Sequence, residues 1–177
     1  MGDIKQTSPV LLFIAAFAPT AVALDWSRRR ATAAFGPIEL ESEAFRFDKF
    51  TDYYAATMGS VLFKQLWGFR QPIDPATLPS IKRLTNDWEA EYAANDSEPA
   101  ARPLNLDPGY VTLAKLILAS TKDHAHRIYL HDGIFAETTL MFTKKQWTAL
   151  PWTYPDYQSS EYHEFLCRCR EFLKTIG

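Results

Sequence analysis

Residues 105–130 read NLDPGYVTLAKLILASTKDHAHRIYL, and the fold class turns on where this stretch is divided. Asp107-Pro108-Gly109 carries turn chemistry, because Pro presets φ and Gly supplies a positive φ. The apolar run behind it is then long enough to be a helix over Val111–Ser120. On that division NLDPGY ends a strand. The segments before it supply β-α-β-β-α-β, a ferredoxin-like antiparallel sheet with its helices on one face.

Back toward the N-terminus, Pro9–Ala18 (PVLLFIAAFA) is too short for the roughly 20 residues of a membrane span and reads as a buried first strand. Ala21-Val22-Ala23 resembles a leader cleavage site. Asp3 offsets Lys5, however, so the segment lacks the positive region of a secretory signal, and an uncleaved strand is expected. Gln6 stands where a myristoylation signal needs Ser or Thr. Thr20 suits an N-cap, Leu24, Arg28, Ala31 and Phe35 share a helix face, and Gly36-Pro37 stops that helix. IELESEAFRF (38–47) changes parity between Leu40 and Phe45, so a bend near Ser42–Ala44 is expected. VLFKQLWGF (61–69) is the next strand. Pro79 then opens a helix with Ile81, Leu84, Trp88 and Tyr92 inward and Lys82, Asn86 and Glu89 on what reads as a solvated stripe. NDSEPAARP (95–103) reads as a surface loop.

Toward the C-terminus, Asp132-Gly133 sits between alternating strands as a two-residue type I′ hairpin turn. That turn pairs Leu130 with Phe135 and Ile128 with Glu137, makes His126 the diagonal neighbour of Glu137, and sends Arg127 and Tyr129 to the opposite face. A last helix opens at Ser159 or Ser160, with Phe165, Leu166, Cys169, Phe172, Leu173 and Ile176 on its inner stripe. The expected architecture is one α+β domain over 1–177. Its ferredoxin-like core spans about 9–110, extended over about 111–177 by a helix, a β-hairpin and the final helix.

Composition narrows the function. The formal charge is −2, with 23% charged and 47% apolar residues. That balance excludes a disordered chain and argues against non-specific binding to duplex nucleic acid, while leaving room for a local basic patch. Cys167 and Cys169 are the only cysteines. A lone C-x-C, or His163 with Cys167, falls short of the four ligands of a structural zinc, and free thiols without a disulfide framework point to the cytoplasm. Walker and Rossmann glycine loops, the G-x-S-x-G elbow, H-E-x-x-H and the aromatic-basic motif of RNA-binding platforms are all absent. No cofactor is identified, and the oligomeric state is not encoded legibly.

FGPIELESEAFRFDKFTDYY, TMG, LTN, NLDPGY, K-x-x-x-HRIYL, GIFAE and PWTYPDY run in order from residue 35 to 157. In these the chain resembles the DUF4416 family over nearly its whole length. The resemblance implies a cytoplasmic single domain without a cleaved leader. It implies no substrate.

Three groups of residues could carry chemistry. In NLDPGY, Asp107 and Tyr110 would be exposed at a strand end, where ligands of open sheets sit; the plain alternative is that Asn105 and Asp107 merely shape the turn. In KDHAHR, His126 beside Glu137 has the arrangement of a proton-transfer pair, and equally that of a half-buried polar pair in a sheet. Metal binding by His124, His126 and Glu137 lacks a fourth ligand. The aromatic-acid loops FDKFTDYY and WTYPDYQS offer Asp48, Thr51, Tyr53, Tyr154 and Asp156 as lid or pocket residues, or as packed tyrosines with satisfied hydroxyls.

The reading these residues support is a pocket for a small anionic ligand, a phosphorylated metabolite or nucleotide. Lys115, Lys122 and Arg127 would hold its charge. His126 and Glu137 would move a proton, and Asp107 would serve as base or anchor. Tyr110, Tyr129, Lys82 and Asn86 complete the expected contacts. The alternative is a non-enzymatic module that binds protein or single-stranded RNA through exposed aromatics. No reaction follows from the residues alone.

Overall fold

The structure is a computed structural model and describes residues 2–3, 7–95 and 100–176. Its centre is β1 (Leu11–Ala18), in which every residue is buried. A strand covered on both faces reads as a continuous apolar run rather than an alternating one, which is why LLFIAAFA has no polar phase. β1 pairs antiparallel with β4 (Phe63–Phe69) on one side and β5 (Asn105–Val111) on the other.

One face of β1, carrying Leu12, Ile14 and Ala16, packs against α1 (Ala21–Phe35) and α3 (Leu78–Asn95). The Thr20 side chain accepts the Ala23 N–H to cap α1, and Gly36 at φ 85° ends it. The other face, with Leu11, Phe13 and Ala15, packs against α4 (Ser160–Ile176) through Tyr162, Phe165, Leu166 and Cys169. Helices therefore cover both faces, not one. Burial pushes the Cys169 thiol pKa well up, as its place on the inner stripe of α4 implies.

The sheet is antiparallel, has nine strands among the described residues, and is larger than the four-stranded core expected. Its order is β2-β4-β1-β5-β6-β8-β7, where β2 is Ile38–Glu41, β6 Lys115–Ser120, β7 Ile128–His131 and β8 Ile134–Thr143. The short β3 (Phe45–Arg46) pairs with β4 after the expected bend, α2 (Ala55–Met58) follows, and β9 (Gln146–Ala149) pairs with β8.

The helix expected over Val111–Ser120 is not there. That stretch is a β-hairpin, turning at Thr112–Ala114, where the Thr112 hydroxyl accepts the N–H groups of Ala114 and Lys115. In LILA, Leu116 and Leu118 are buried on one face while Ile117 and Ala119 are buried on the other. A strand buried on both sides has no period with which to announce itself against a helix. Asp-Pro-Gly is likewise not a turn but the interior of β5. The β7–β8 hairpin does turn at Asp132-Gly133, both at positive φ. Its register is shifted by a bulge at Leu130, so Ile128 opposes Ala136 and Tyr129 opposes Phe135. Within the loop expected at 95–103, residues 96–99 lie outside the described residues. No described helix is long and apolar enough to cross a membrane.

Gly109 marks a close approach of β5 to β6. A Cβ there would lie 2.1 Å from the Ile117 carbonyl oxygen, a backbone atom that has no freedom to step aside. Gly109→Ala is expected to cost about 2 kcal/mol or more by overpacking, measured by urea unfolding. A wild-type midpoint would show that β5 and β6 do not meet this closely.

Candidate functional site

The sheet forks at Pro108. β5 pairs with β1 along its whole length, yet it pairs with β6 only from Gly109 to Val111. Leu106 turns its N–H and carbonyl away from β1, and by the two-residue alternation of a strand Pro108 turns its nitrogen the same way. That nitrogen has no proton to give a neighbour. Up to Pro108, β5 and β6 diverge, and a cleft of about 480 Å³ opens between them.

Two side chains of α3 fill the place of the missing strand. Glu89 Oε1 accepts the Leu106 N–H at 2.7 Å, and Lys82 Nζ donates to the Leu106 carbonyl at 2.8 Å. Lys82 reaches through the fork from the α3 side of the sheet to Asp107 Oδ1 at 3.5 Å, on the opposite face, since Asp107 is paired with Ala15. The stripe that reads as solvated is therefore inward: Lys82 is 5% exposed. Arg102 donates to Glu89 Oε2 at 2.9 Å and to Asn105 Oδ1, and Asn105 Nδ2 donates to Asp107 Oδ2 at 2.8 Å. Burial pushes the Glu89 carboxyl pKa up, against the pull of Lys82 and the Leu106 N–H. Burial also works against the Arg102 charge, but the Glu89 carboxylate more than restores it.

The opposite wall is built on β6 and β8. Glu137 is held by three donors: Arg127 Nε at 2.7 Å and His126 Nε2 at 3.0 Å on one oxygen, and the Thr139 hydroxyl at 3.1 Å on the other. Arg127 Nη1 donates to the Ser120 hydroxyl and the Lys122 carbonyl. Arg127 thus shares the face of Glu137, contrary to the expected alternation, because residues 121–127 form a turn rather than a strand. His126 is clamped between His124 and Trp152, with ring planes 6° and 11° from parallel. Glu137, Arg127, Lys122 and His124 line the cleft, and His126 stands behind them.

The third wall is aromatic. Phe17, Phe47, Tyr157 and Tyr162 surround Lys64, whose Nζ lies 3.9 Å from the Phe47 ring centre, and Tyr54 packs on Phe17 and Phe47. Lys64 is 2% exposed and donates to Asp156 Oδ2 at 2.7 Å. This buried pair ties β4 to the one-turn 3-10 helix Pro155–Gln158 and so sets Tyr154 over the cleft. Burial raises the pKa of the Tyr54 and Tyr157 phenols, which stay neutral.

Of the residues the sequence nominates, Asp107, Glu137, Lys82, Asn86, Lys122, Arg127, Thr51, Tyr53, Tyr154 and Asp156 meet in this cleft. Five do not line it. His126 stands behind Glu137. Asp48 is engaged by Arg46 and the Leu62 N–H, which hold its carboxyl far below the usual range. Lys115 starts β6, at the end away from the cleft. Tyr110 faces the α3 side and packs beside Leu78 and Ile117. Tyr129 is exposed on β7. Lys64 and Arg102 line the cleft and escape sequence reasoning, and Asn105, read there only as shaping a turn, lines it as well. Lys64 did leave a signal: it falls in phase with the buried Leu62 and Leu66, which places it inside. No cluster of three or more His, Cys, Asp or Glu suited to a metal occurs among the described residues.

A family model described as a domain of unknown function, DUF4416, matches residues 8–172, and the chain belongs to that family. No curated protein and no solved structure matches it.

Two stability outcomes follow from the buried charges. Asp156→Asn leaves the Lys64 ammonium buried without its counter-ion and is expected to cost about 3 kcal/mol or more. The double change Lys64→Met/Asp156→Leu should recover most of that loss; an Asp156→Asn protein as stable as wild type would contradict the pair. The Glu89 pKa is raised above the ordinary 4.5, so the folded chain binds that proton more tightly than the unfolded chain. Its contribution is full below pH 4.5 and is lost as pH rises through the raised value. In urea melts across a pH series, wild type should therefore lose stability relative to Glu89→Gln as pH climbs above 4.5. A difference that stays flat or grows would refute this.

Proposed function

We propose that this DUF4416 protein binds a small anionic ligand, a phosphorylated metabolite or nucleotide, in the cleft at the fork between β5 and β6. The observation that carries the reading is Lys122. Its ammonium lies 5.5 Å from the Tyr53 ring centre and faces no carboxylate among the described residues, while the neighbouring Arg127 is held rigid by Glu137 and Ser120. The Ser120 hydroxyl accepts from the Lys122 N–H and from Arg127, which leaves its own proton to donate. A cation without a carboxylate partner, a fixed guanidinium and a hydroxyl donor at one corner suit a phosphate group.

If the ligand is turned over, Asp107 is the carboxylate placed to move a proton. Asn105 and Lys82 orient it, and it stays partly open to the cleft. Glu137 is already taken up by three donors, so in this reading Glu137 and His126 position Arg127. The order β2-β4-β1-β5, with α1 and α3 as crossovers on one face, supports a ferredoxin-like core carrying the extension that completes the cleft. The two free thiols support a cytoplasmic setting. A second reading, a module that binds protein or single-stranded RNA, draws on β7, where Ile128 is 73% and Tyr129 57% exposed.

Thermal unfolding with a panel of phosphorylated metabolites and nucleotides tests the two. A ligand at a hundred times its Kd adds about 2.7 kcal/mol, a rise of about 5–10 °C for a chain of this size. The rise should be absent in Lys122→Ala, which removes no side-chain hydrogen bond or ion pair among the described residues. No rise with any anion, together with a partner captured from lysate and lost on Tyr129→Ala, would favour the module instead.

A further inference from the structure

The charges in the cleft are distributed unevenly, and the imbalance describes the ligand. Along the inner wall each cation already has its carboxylate: Lys82 has Asp107, Arg102 has Glu89 and Lys64 has Asp156. Among the described residues of the cleft, only the outer corner holds an unmatched positive charge, at Lys122. A ligand that complements this surface is anionic at one end and neutral at the other. A polyphosphate would bring more charge than the corner answers.

The neutral end meets one unspent polar group. Asn86 lies one helical turn beyond Lys82 on α3 and lines the cleft, and its carboxamide makes no hydrogen bond among the described residues. It offers a donor and an acceptor side by side, which suits a group that presents the same pair, such as the edge of a nucleobase. The rings of Tyr53, Tyr54 and Tyr154 line the same space, and aromatic rings are the surfaces on which bases stack. A sugar phosphate would leave both the amide and the rings without a partner.

Resting on the reading of the corner as an anion site, we infer that the ligand is a nucleoside 5′-monophosphate. Its phosphate lies at Lys122 and Arg127, and its base is read by Asn86 against the tyrosines. Asn86 is then the residue that distinguishes a nucleotide from a bare sugar phosphate.

Calorimetric titration of the full chain with the four ribonucleoside 5′-monophosphates, ribose 5-phosphate and inorganic phosphate tests this. At least one nucleotide should bind about tenfold or more tighter than ribose 5-phosphate. Asn86→Leu should remove that advantage and leave ribose 5-phosphate binding unchanged, whereas Lys122→Ala should weaken both. If ribose 5-phosphate binds as tightly as every nucleotide, or Asn86→Leu weakens both alike, the inference falls and the anion site stands. If none of the six binds, the anion site falls with it.

Discussion

The backbone N–H and carbonyl of Leu106 are the point on which this architecture depends. A strand beside a gap leaves its N–H and carbonyl without ladder partners, and an unmet buried backbone group costs about 1–3 kcal/mol. Glu89 and Lys82 meet both, from a helix on the far side of the sheet. Their bonds allow the sheet to remain forked instead of closing, and the space they hold open is the cleft. The same two residues bring a buried carboxylate and a buried ammonium, each needing a counter-charge. Arg102 answers the first and Asp107 the second. The polar wall is therefore a direct consequence of the fork, assembled outward from one unpaired backbone unit.

Burying two ion pairs, Lys64 with Asp156 and Arg127 with Glu137, around one cleft is a poor way to gain stability, since such pairs seldom exceed what apolar packing would supply. Their worth here lies in geometry. Lys64 and Asp156 tie β4 to the segment that carries Tyr154, and the rings around Lys64 stabilise its charge where water is excluded. Glu137 plays the corresponding part on the other wall, fixing the planar guanidinium of Arg127. Preorganised donors of this kind need no rearrangement when an anion arrives, and preorganisation reduces the cost of binding.

Much of this fold was legible in the sequence where one physical signal was undivided. PVLLFIAAFA is too short for a membrane span and lacks the charge of a leader, which favours a buried strand, while the inner stripe of α4 announces itself by its period and the hairpin turn by Asp-Gly. VTLAKLILAS failed because burial on both faces removes the phase that separates strand from helix. The Arg127 side was misjudged because the loop before β7 and the bulge at Leu130 leave no compositional trace. Lys82 and Glu89 looked solvated because a charged helix stripe normally is; only a gap in another element, distant in sequence, turns that stripe inward. Asp107, Lys122 and Glu137 were nevertheless nominated, since their chemistry stands apart from its surroundings whatever the fold.

Pro108-Gly109 then takes on a meaning opposite to that of a turn. Pro ends the ladder on one side of β5 without disturbing the pairing with β1, and Gly, one residue later, lets β6 come within a distance that no Cβ permits. One residue opens the sheet and the next closes it. The fork has a sharp apex for this reason, and Asp107 sits immediately before it, at the narrow end of the cleft, where a ligand would be held on both sides. Because α3 supplies both the pins of the fork and the free amide of Asn86, an occupant touching Asn86 would brace the helix that keeps its own site open.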